Sequence, residues 1–201
     1  MHMPPPVLLY RDLIFAAWAL WVAYWGISAG QVKQTERRES TAARLGYIVP
    51  LVIGAWLIAL PLTGLGPLSV QLWPDERARW QCALVLVVLG LGFSIWARMH
   101  LGRNWSGTVT VKEGHELIRS GPYAYVRHPI YTGLIVALAG GAVACGQPRA
   151  LLGVAIIVYS FVRKLRLEEQ FMRAQFPAEY ARYCREVPAL VPFARRRVPG
   201  N

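Results

Sequence analysis

Residues Trp80 to Ala97 read WQCALVLVVLGLGFSIWA, eighteen consecutive residues without a charge. At a rise of ~1.5 Å per residue such a helix reaches ~27 Å, close to the ~30 Å hydrocarbon core of a bilayer. The same kind of run recurs on both sides of it. Leu13 to Val32 is charge-free, Leu45 to Val70 holds a second span, and Pro129 to Pro148 holds a fourth. A fifth run, Ala150 to Val162, stops after 13 residues at Arg163. It reaches only ~20 Å alone, so its helix must continue into the charged sequence that follows, from about Arg149 to Phe176. A chain of 201 residues that is 55% apolar, 16% charged and carries eight Trp has a membrane composition. The expectation is an all-α integral membrane protein with about five transmembrane helices.

The formal net charge of +11 would point to nucleic acid in a soluble protein. Sorting the 22 Lys and Arg along the five spans removes that reading. With the N-terminus outside, Arg11, Arg77, Arg79 and Arg149 fall on the outer side, and the other 18 fall inside. This is the positive-inside bias, so topology accounts for the basic balance and nucleic acid is not an expected partner. It also orients residues 101–201 toward the cytoplasm, and the expected location is the inner (cytoplasmic) membrane. Trp18, Trp21, Tyr24 and Trp25 give the first span an interfacial aromatic belt, which fits an anchor better than a cleaved signal. Cys82, Cys145 and Cys184 show no CxxC spacing, so neither a disulfide framework nor a metal site is expected. Gly64-Leu65-Gly66 and Gly90-Leu91-Gly92 lack the third glycine of a dinucleotide fingerprint.

The chain divides into a scaffold of three spans, residues 1–100, and a half dense in polar signals, residues 101–201. In the first, the basic loop Gln31 to Arg44 and the turn-rich loop Gly64 to Arg79 carry no chemistry. In the second, Thr108-Val109-Thr110-Val111 alternates like a short strand, and Glu113-Gly114 and Ser120-Gly121-Pro122-Tyr123 are turn signals. A connection this long in a compact domain is usually functional.

Three constellations follow. Gly121 to Gly133 reads GPYAYVRHPIYTG. Arg127 and His128 offer donors to an anion, Pro129 fixes a helix start whose N–H groups favour anions, and Gly133 permits close approach to a ligand or a neighbouring helix. Arg and His at a membrane boundary equally serve as topology residues. The second is Arg163, Lys164 and Arg166 with Glu168 and Glu169. Lys164 and Glu168 lie i,i+4 on one face, where a surface pair is worth only ~0.3–0.5 kcal/mol. The third is Phe176 to Pro188, FPAEYARYCREVP, followed by Ala189 to Pro192. Pro177 suits the first position of a helix, and Tyr180 and Tyr183 suit interfacial anchors as well as a site.

In order and spacing these three stretches resemble the isoprenylcysteine carboxyl methyltransferase family, across about Leu101 to Pro192. GPYAYVRHPIYTG is the specific element; EEQFM and FPAEYARYCREVP support it. Ala124, Met172 and Pro177 depart from the usual residues, and Pro177 alters the geometry of its turn. The resemblance implies a membrane methyltransferase without a Rossmann domain, using S-adenosyl-L-methionine held by a cytoplasmic loop and by helix ends. It implies cofactor-binding roles for Arg127, His128 and the Pro129 helix start toward a carboxylate, for Glu168 and Glu169 toward an ammonium or ribose, and for Tyr125, Tyr131, Gly133 and Tyr180 around the adenosine and sulfonium. A carboxylate on a hydrophobic or lipid-borne acceptor needs a cation, for which Arg163, Lys164 and Arg166 are candidates beside Glu168. An amine acceptor, as in phospholipid N-methyltransferases, or a small thiol would need a base instead. A membrane scaffold or permease component is the non-enzymatic alternative.

Overall fold

The computed structural model describes residues 5–28, 35–38, 40–59, 66–102, 110–112 and 117–192. Six helices account for most of these: α1 (Pro5–Ser28), α2 (Thr41–Ala59), α3 (Arg77–Leu101), α4 (Pro129–Cys145), α5 (Pro148–Gln175) and α6 (Pro177–Glu186). Proline opens α4, α5 and α6 at positions where its missing N–H has no intrahelical partner to lose. Gly146, in the left-handed region at φ 69°, ends α4 and turns the chain directly into α5.

Helices α1, α2 and α3 are long and apolar enough to cross a membrane; α4, with 17 residues, is shorter. Helix α5 runs 28 residues, ~42 Å, through the charged segment after Val162. Side chains such as Leu20, Ile27 and Leu89 are exposed outward, where hydrocarbon is their natural solvent.

Helix boundaries differ from the apolar runs in one consistent way. Helix α1 begins at Pro5 rather than near Leu13 and so includes Arg11, which pairs with Asp12 at 2.9 Å. Helix α3 likewise extends beyond both ends of Trp80–Ala97. Within the Leu45–Val70 run, α2 is described through Ala59 and a 3₁₀ turn occupies Gly66–Ser69.

The basic loop after α1 is not a plain connector. Its residues Thr35–Arg38 form β1, which pairs antiparallel with β2, Thr110–Lys112, in the register Arg37 opposite Val111 and Arg38 opposite Thr110. TERR has no apolar alternation, so its strand comes from the pairing rather than from pattern. The remaining expectations for Thr108, Val109 and the Glu113-Gly114 turn lie outside the described residues, as do Lys33, Gly64-Leu65, Arg103 and the Arg195–Arg197 run.

The helices pack in the order α1, α3, α4, α5, α2, with the main contacts between α3 and α4 and between α2 and α5. Both pairs are antiparallel and close through small residues, the expected solution where no hydrophobic effect drives helices together. A Cβ on Gly90 would lie 2.5 Å from the Ala137 nitrogen and from the Gly133 oxygen, and one on Gly133 would meet Gly90 and Ser94. Helix α1 is pinned to α3 by a 2.8 Å hydrogen bond from the Trp21 indole to Ser94 Oγ. Arg11, Arg77, Arg79 and Arg149 gather at one end of the bundle. There Arg77 donates to Tyr10 Oη and Arg149 to the carbonyl of Leu57 at the end of α2. The Gly121–Gly133 motif stands at the other end.

A Gly90→Val substitution forces α3 and α4 apart and is expected to lower the unfolding midpoint in detergent by an amount corresponding to ~1–3 kcal/mol. Gly92→Ala, at a position with nothing within 4 Å, leaves that midpoint unchanged.

Candidate active site at the mouth of the helix bundle

The Gly121–Gly133 motif begins with a 3₁₀ turn, Gly121–Ala124, docked on the end of α3. Gly121 has φ +58°, and its absent Cβ leaves room for the His100 imidazole, which would lie 2.7 Å from one. His100 Nε2 meets Ser120 Oγ at 2.9 Å and its ring stacks on Tyr123. Tyr123 is buried, and its carbonyl accepts a 2.6 Å hydrogen bond from Tyr183 Oη of α6.

Beyond this turn the chain runs alongside residues 187–190. The N–H of Arg127 donates to Pro188 O at 2.9 Å, the N–H of His128 to Ala189 O at 3.0 Å, and Thr132 Oγ1 to Leu190 O at 2.7 Å. Helix α6 holds this strap in place. Tyr180, Tyr183, Cys184 and Val187 lie at i, i+3, i+4 and i+7, bury one face, and pack with Leu117, Met172 and Phe176. The third constellation is therefore a support for the first, and Tyr180 belongs to its core.

The end of α5 closes the site. Glu168 and Glu169 are adjacent in sequence and so point ~100° apart on the helix. They straddle one imidazole: His128 Nδ1 is 3.6 Å from Glu168 Oε2, and Nε2 is 3.3 Å from Glu169 Oε1. Arg127 donates to the same Glu169 oxygen from Nη2 at 2.6 Å and Nε at 3.1 Å, while Nη1 donates to the carbonyls of Val187 and Cys184. Its side chain is 2% exposed. Tyr131 Oη donates to Glu168 Oε1 at 2.5 Å, and the Lys164 ammonium stands 4.0 Å from the same oxygen. The Tyr131 ring stacks on Phe161 at 5.0 Å and on His128 at 5.8 Å.

The cluster sets its own protonation. Burial pushes the Glu169 carboxyl up, but hydrogen bonds from His128 and Arg127 outweigh it and hold the group down to about 2. Burial also opposes a charge on His128, yet the two carboxylates override it and raise its pKa. Glu168 is lowered for matching reasons: burial opposes, while His128 and Lys164 favour the anion.

Of the residues singled out in sequence, the structure brings Arg127, His128, Tyr131, Lys164, Glu168 and Glu169 together. Arg127 departs from its expected task, because its donors engage Glu169 and two carbonyls instead of facing open space. Gly133 faces α3, so of its two expected uses it serves the neighbouring helix. Pro129 is buried and Tyr125 exposed. Arg163 lies outward, donating to Tyr159 Oη at 3.2 Å, and Arg166 is also exposed. Sequence reading missed Tyr47 of α2, whose ring is 5.4 Å from the Lys164 ammonium. An aromatic inside an apolar run gives no separate signal. Among the described residues no group of His, Cys, Asp and Glu could hold a metal ion.

A family model described as the isoprenylcysteine carboxyl methyltransferase (ICMT) family matches residues 83–174, which include most of α3, all of α4 and the site-bearing length of α5. That match spans 92 of the 201 residues, and along it the chain is similar to integral membrane methyltransferases of the ICMT type. Protein-S-isoprenylcysteine O-methyltransferase B of Arabidopsis thaliana is 26% identical over 131 residues, 62% of this chain and 66% of that protein. A probable protein-S-isoprenylcysteine O-methyltransferase of Oryza sativa subsp. indica is 27% identical over 164 residues, 78% of this chain and 83% of that protein. The solved structure of a eukaryotic intramembrane Ras methyltransferase, ICMT, shares the fold with a TM-score of 0.61 at 20% identity, over 95% of this chain and 69% of that one.

The coupling of these groups has consequences for stability. Glu169→Gln leaves Arg127 buried without its anion and is expected to cost about 3–5 kcal/mol in detergent unfolding. A carboxyl depressed from 4.5 to about 2 contributes stability above pH 4.5 that is lost as pH falls toward 2, so the wild-type unfolding midpoint drops across that window. His128, with its raised pKa, contributes below its ordinary 6.5 and loses that contribution as pH rises through its folded value. The acid-side drop is smaller in Glu169→Gln, where the lowered Glu168 carboxyl still contributes to it.

Proposed function

We propose that this chain is an S-adenosyl-L-methionine-dependent carboxyl O-methyltransferase acting on a hydrophobic or lipid-linked carboxylate at the cytoplasmic face of the inner membrane. The observation that carries the reading is one polar cluster, His128 with Glu168, Tyr131 and Lys164, set at the end of an apolar bundle. Its donor set suits the methyl donor. Glu168 is a partly exposed carboxylate beside the faces of Tyr131 and His128, which fits an ammonium and a sulfonium together. We assign cofactor contact to His128, Glu168, Tyr131 and the start of α4, with Glu169 and Arg127 holding these groups in place.

Bound S-adenosylmethionine supplies an electrophilic methyl group on sulfur. The protein's own task is then alignment and exclusion of water, which in favourable cases is worth up to ~7–11 kcal/mol. A carboxylate acceptor is already a nucleophile and needs only a cation to orient it, the role we give Lys164, with Arg163 and Arg166 nearer its approach. An amine acceptor needs a base, and this cluster makes a poor one. Glu169 is held near 2, Glu168 is lowered, and His128 is biased toward its protonated form. That electrostatic bias supports ester formation. Residues 1–100 then serve as scaffold and residues 101–201 as the catalytic half. The names of the relatives make an S-isoprenylated cysteine with a free carboxylate the acceptor to try first.

Purified protein in phospholipid vesicles, given methyl-labelled S-adenosylmethionine and that acceptor, is expected to yield a label released by mild alkali. No transfer to the acceptor, or an alkali-stable label in an amino phospholipid, overturns the reading. In calorimetric titration Glu168→Gln is expected to weaken donor affinity about tenfold, the loss of one charge-assisted contact. Unchanged affinity removes Glu168 from the donor site.

A further inference from the structure

We propose that Tyr47 of α2 is a positioning residue for methyl transfer, acting through Lys164, whose ammonium its ring holds at the site. The proposal rests on the reading of Lys164 as the acceptor's cationic partner and extends it to a helix of the scaffold half.

A lysine ~24 Å along α5 stands near the inner edge of a membrane, where a long side chain ordinarily extends to water. Lys164 turns inward instead. Its side chain is 17% exposed, and its ammonium stands 5.4 Å from the centre of the Tyr47 ring, 5.8 Å from that of Tyr131 and 4.0 Å from Glu168 Oε1. Three helices thus contribute to a cage of two aromatic faces and a carboxylate, within the range where a ring attracts a cation.

The placement of Tyr47 is fixed independently of Lys164. Gly54 and Gly153 let α2 and α5 approach until a Cβ on either would lie within 2.7 Å of the other's carbonyl oxygen. Two turns along in the same antiparallel register, Ser160 Oγ donates to the carbonyl of Tyr47 at 2.6 Å. Both pins act on backbone, so the ring itself can be altered without removing them. Tyr131, the other wall, also carries the hydrogen bond to Glu168 and cannot be altered so cleanly. Tyr47 is therefore the wall that isolates the effect of the cage on Lys164.

The test compares Tyr47→Leu, Tyr47→Phe and a trifluorinated phenylalanine at 47, which keeps the ring's shape and weakens its negative face. The acceptor is an S-isoprenylated cysteine in vesicles. We expect Tyr47→Leu and the fluorinated ring to raise acceptor KM about tenfold, with kcat and donor affinity within about twofold, and Tyr47→Phe to restore most of the loss. A fluorinated ring with wild-type KM overturns the proposal while leaving methyl transfer standing. A second measurement needs no substrate. The chain has three lysines, Lys33, Lys112 and Lys164, so selective carbon-13 labelling at lysine Cε gives three resonances, and Lys164→Arg identifies the one of interest. We expect it to be shifted upfield by the rings in wild type and to move part of the way toward the position of a solvated lysine in Tyr47→Leu, where Tyr131 remains. A resonance that does not move overturns the proposal. Absence of transfer by the wild-type chain overturns the functional reading itself and is seen before any variant is made.

Discussion

Everything at the mouth of this bundle depends on one imidazole held between two consecutive carboxylates. Glu168 and Glu169 cannot both face the same partner from one helix unless that partner sits across the angle between them, and His128 does. Its position at the entrance to α4 fixes the end of α5 against the start of α4. Two anions this close, in a place with little water, require compensation. Arg127 supplies it to Glu169, while Lys164 and Tyr131 supply it to Glu168. The two acids are thereby made unequal. One is enclosed and structural; the other keeps an edge toward open space.

The membrane-spanning part has the opposite character. Its stability comes from close contact of small residues, Gly90 against Gly133 and Gly54 against Gly153, with single polar pins such as Trp21 to Ser94 and Ser160 to Tyr47. Backbones held this near to each other leave little room for relative sliding. The polar cluster inherits that rigidity, which is what an alignment-dependent reaction needs.

The all-helical membrane fold was legible because charge-free runs and the sorting of Arg and Lys are properties of single residues. So was the overlong α5, from the mismatch between its 13 apolar residues and the bilayer. Helix ends were less so: α1 starts at Pro5, before its apolar run, and takes in both Arg11 and Asp12. The pairing of Thr35–Arg38 with Thr110–Lys112 was not legible, since nothing local marks TERR as a strand. In the site, spacing and family resemblance picked out His128, Glu168 and Glu169. They did not separate Arg127 as a buried clamp from Arg127 as a ligand, because that difference lies in carbonyls of residues 184 and 187, far along the chain. Tyr47 was invisible for the same reason: its significance arises only when α2 is laid on α5.

The strap at residues 187–190 has a consequence for how the protein is made. These residues follow every described helix in synthesis order, yet they accept hydrogen bonds from Arg127, His128 and Thr132. The apolar helices can enter the bilayer as they emerge from the ribosome, but the cluster stays half-satisfied until the strap arrives. Until residues 184–190 are made, the Arg127 guanidinium lacks two of its carbonyl acceptors and the start of α4 lacks its strap, so the geometry of the cluster is completed by the last stretch of the described chain.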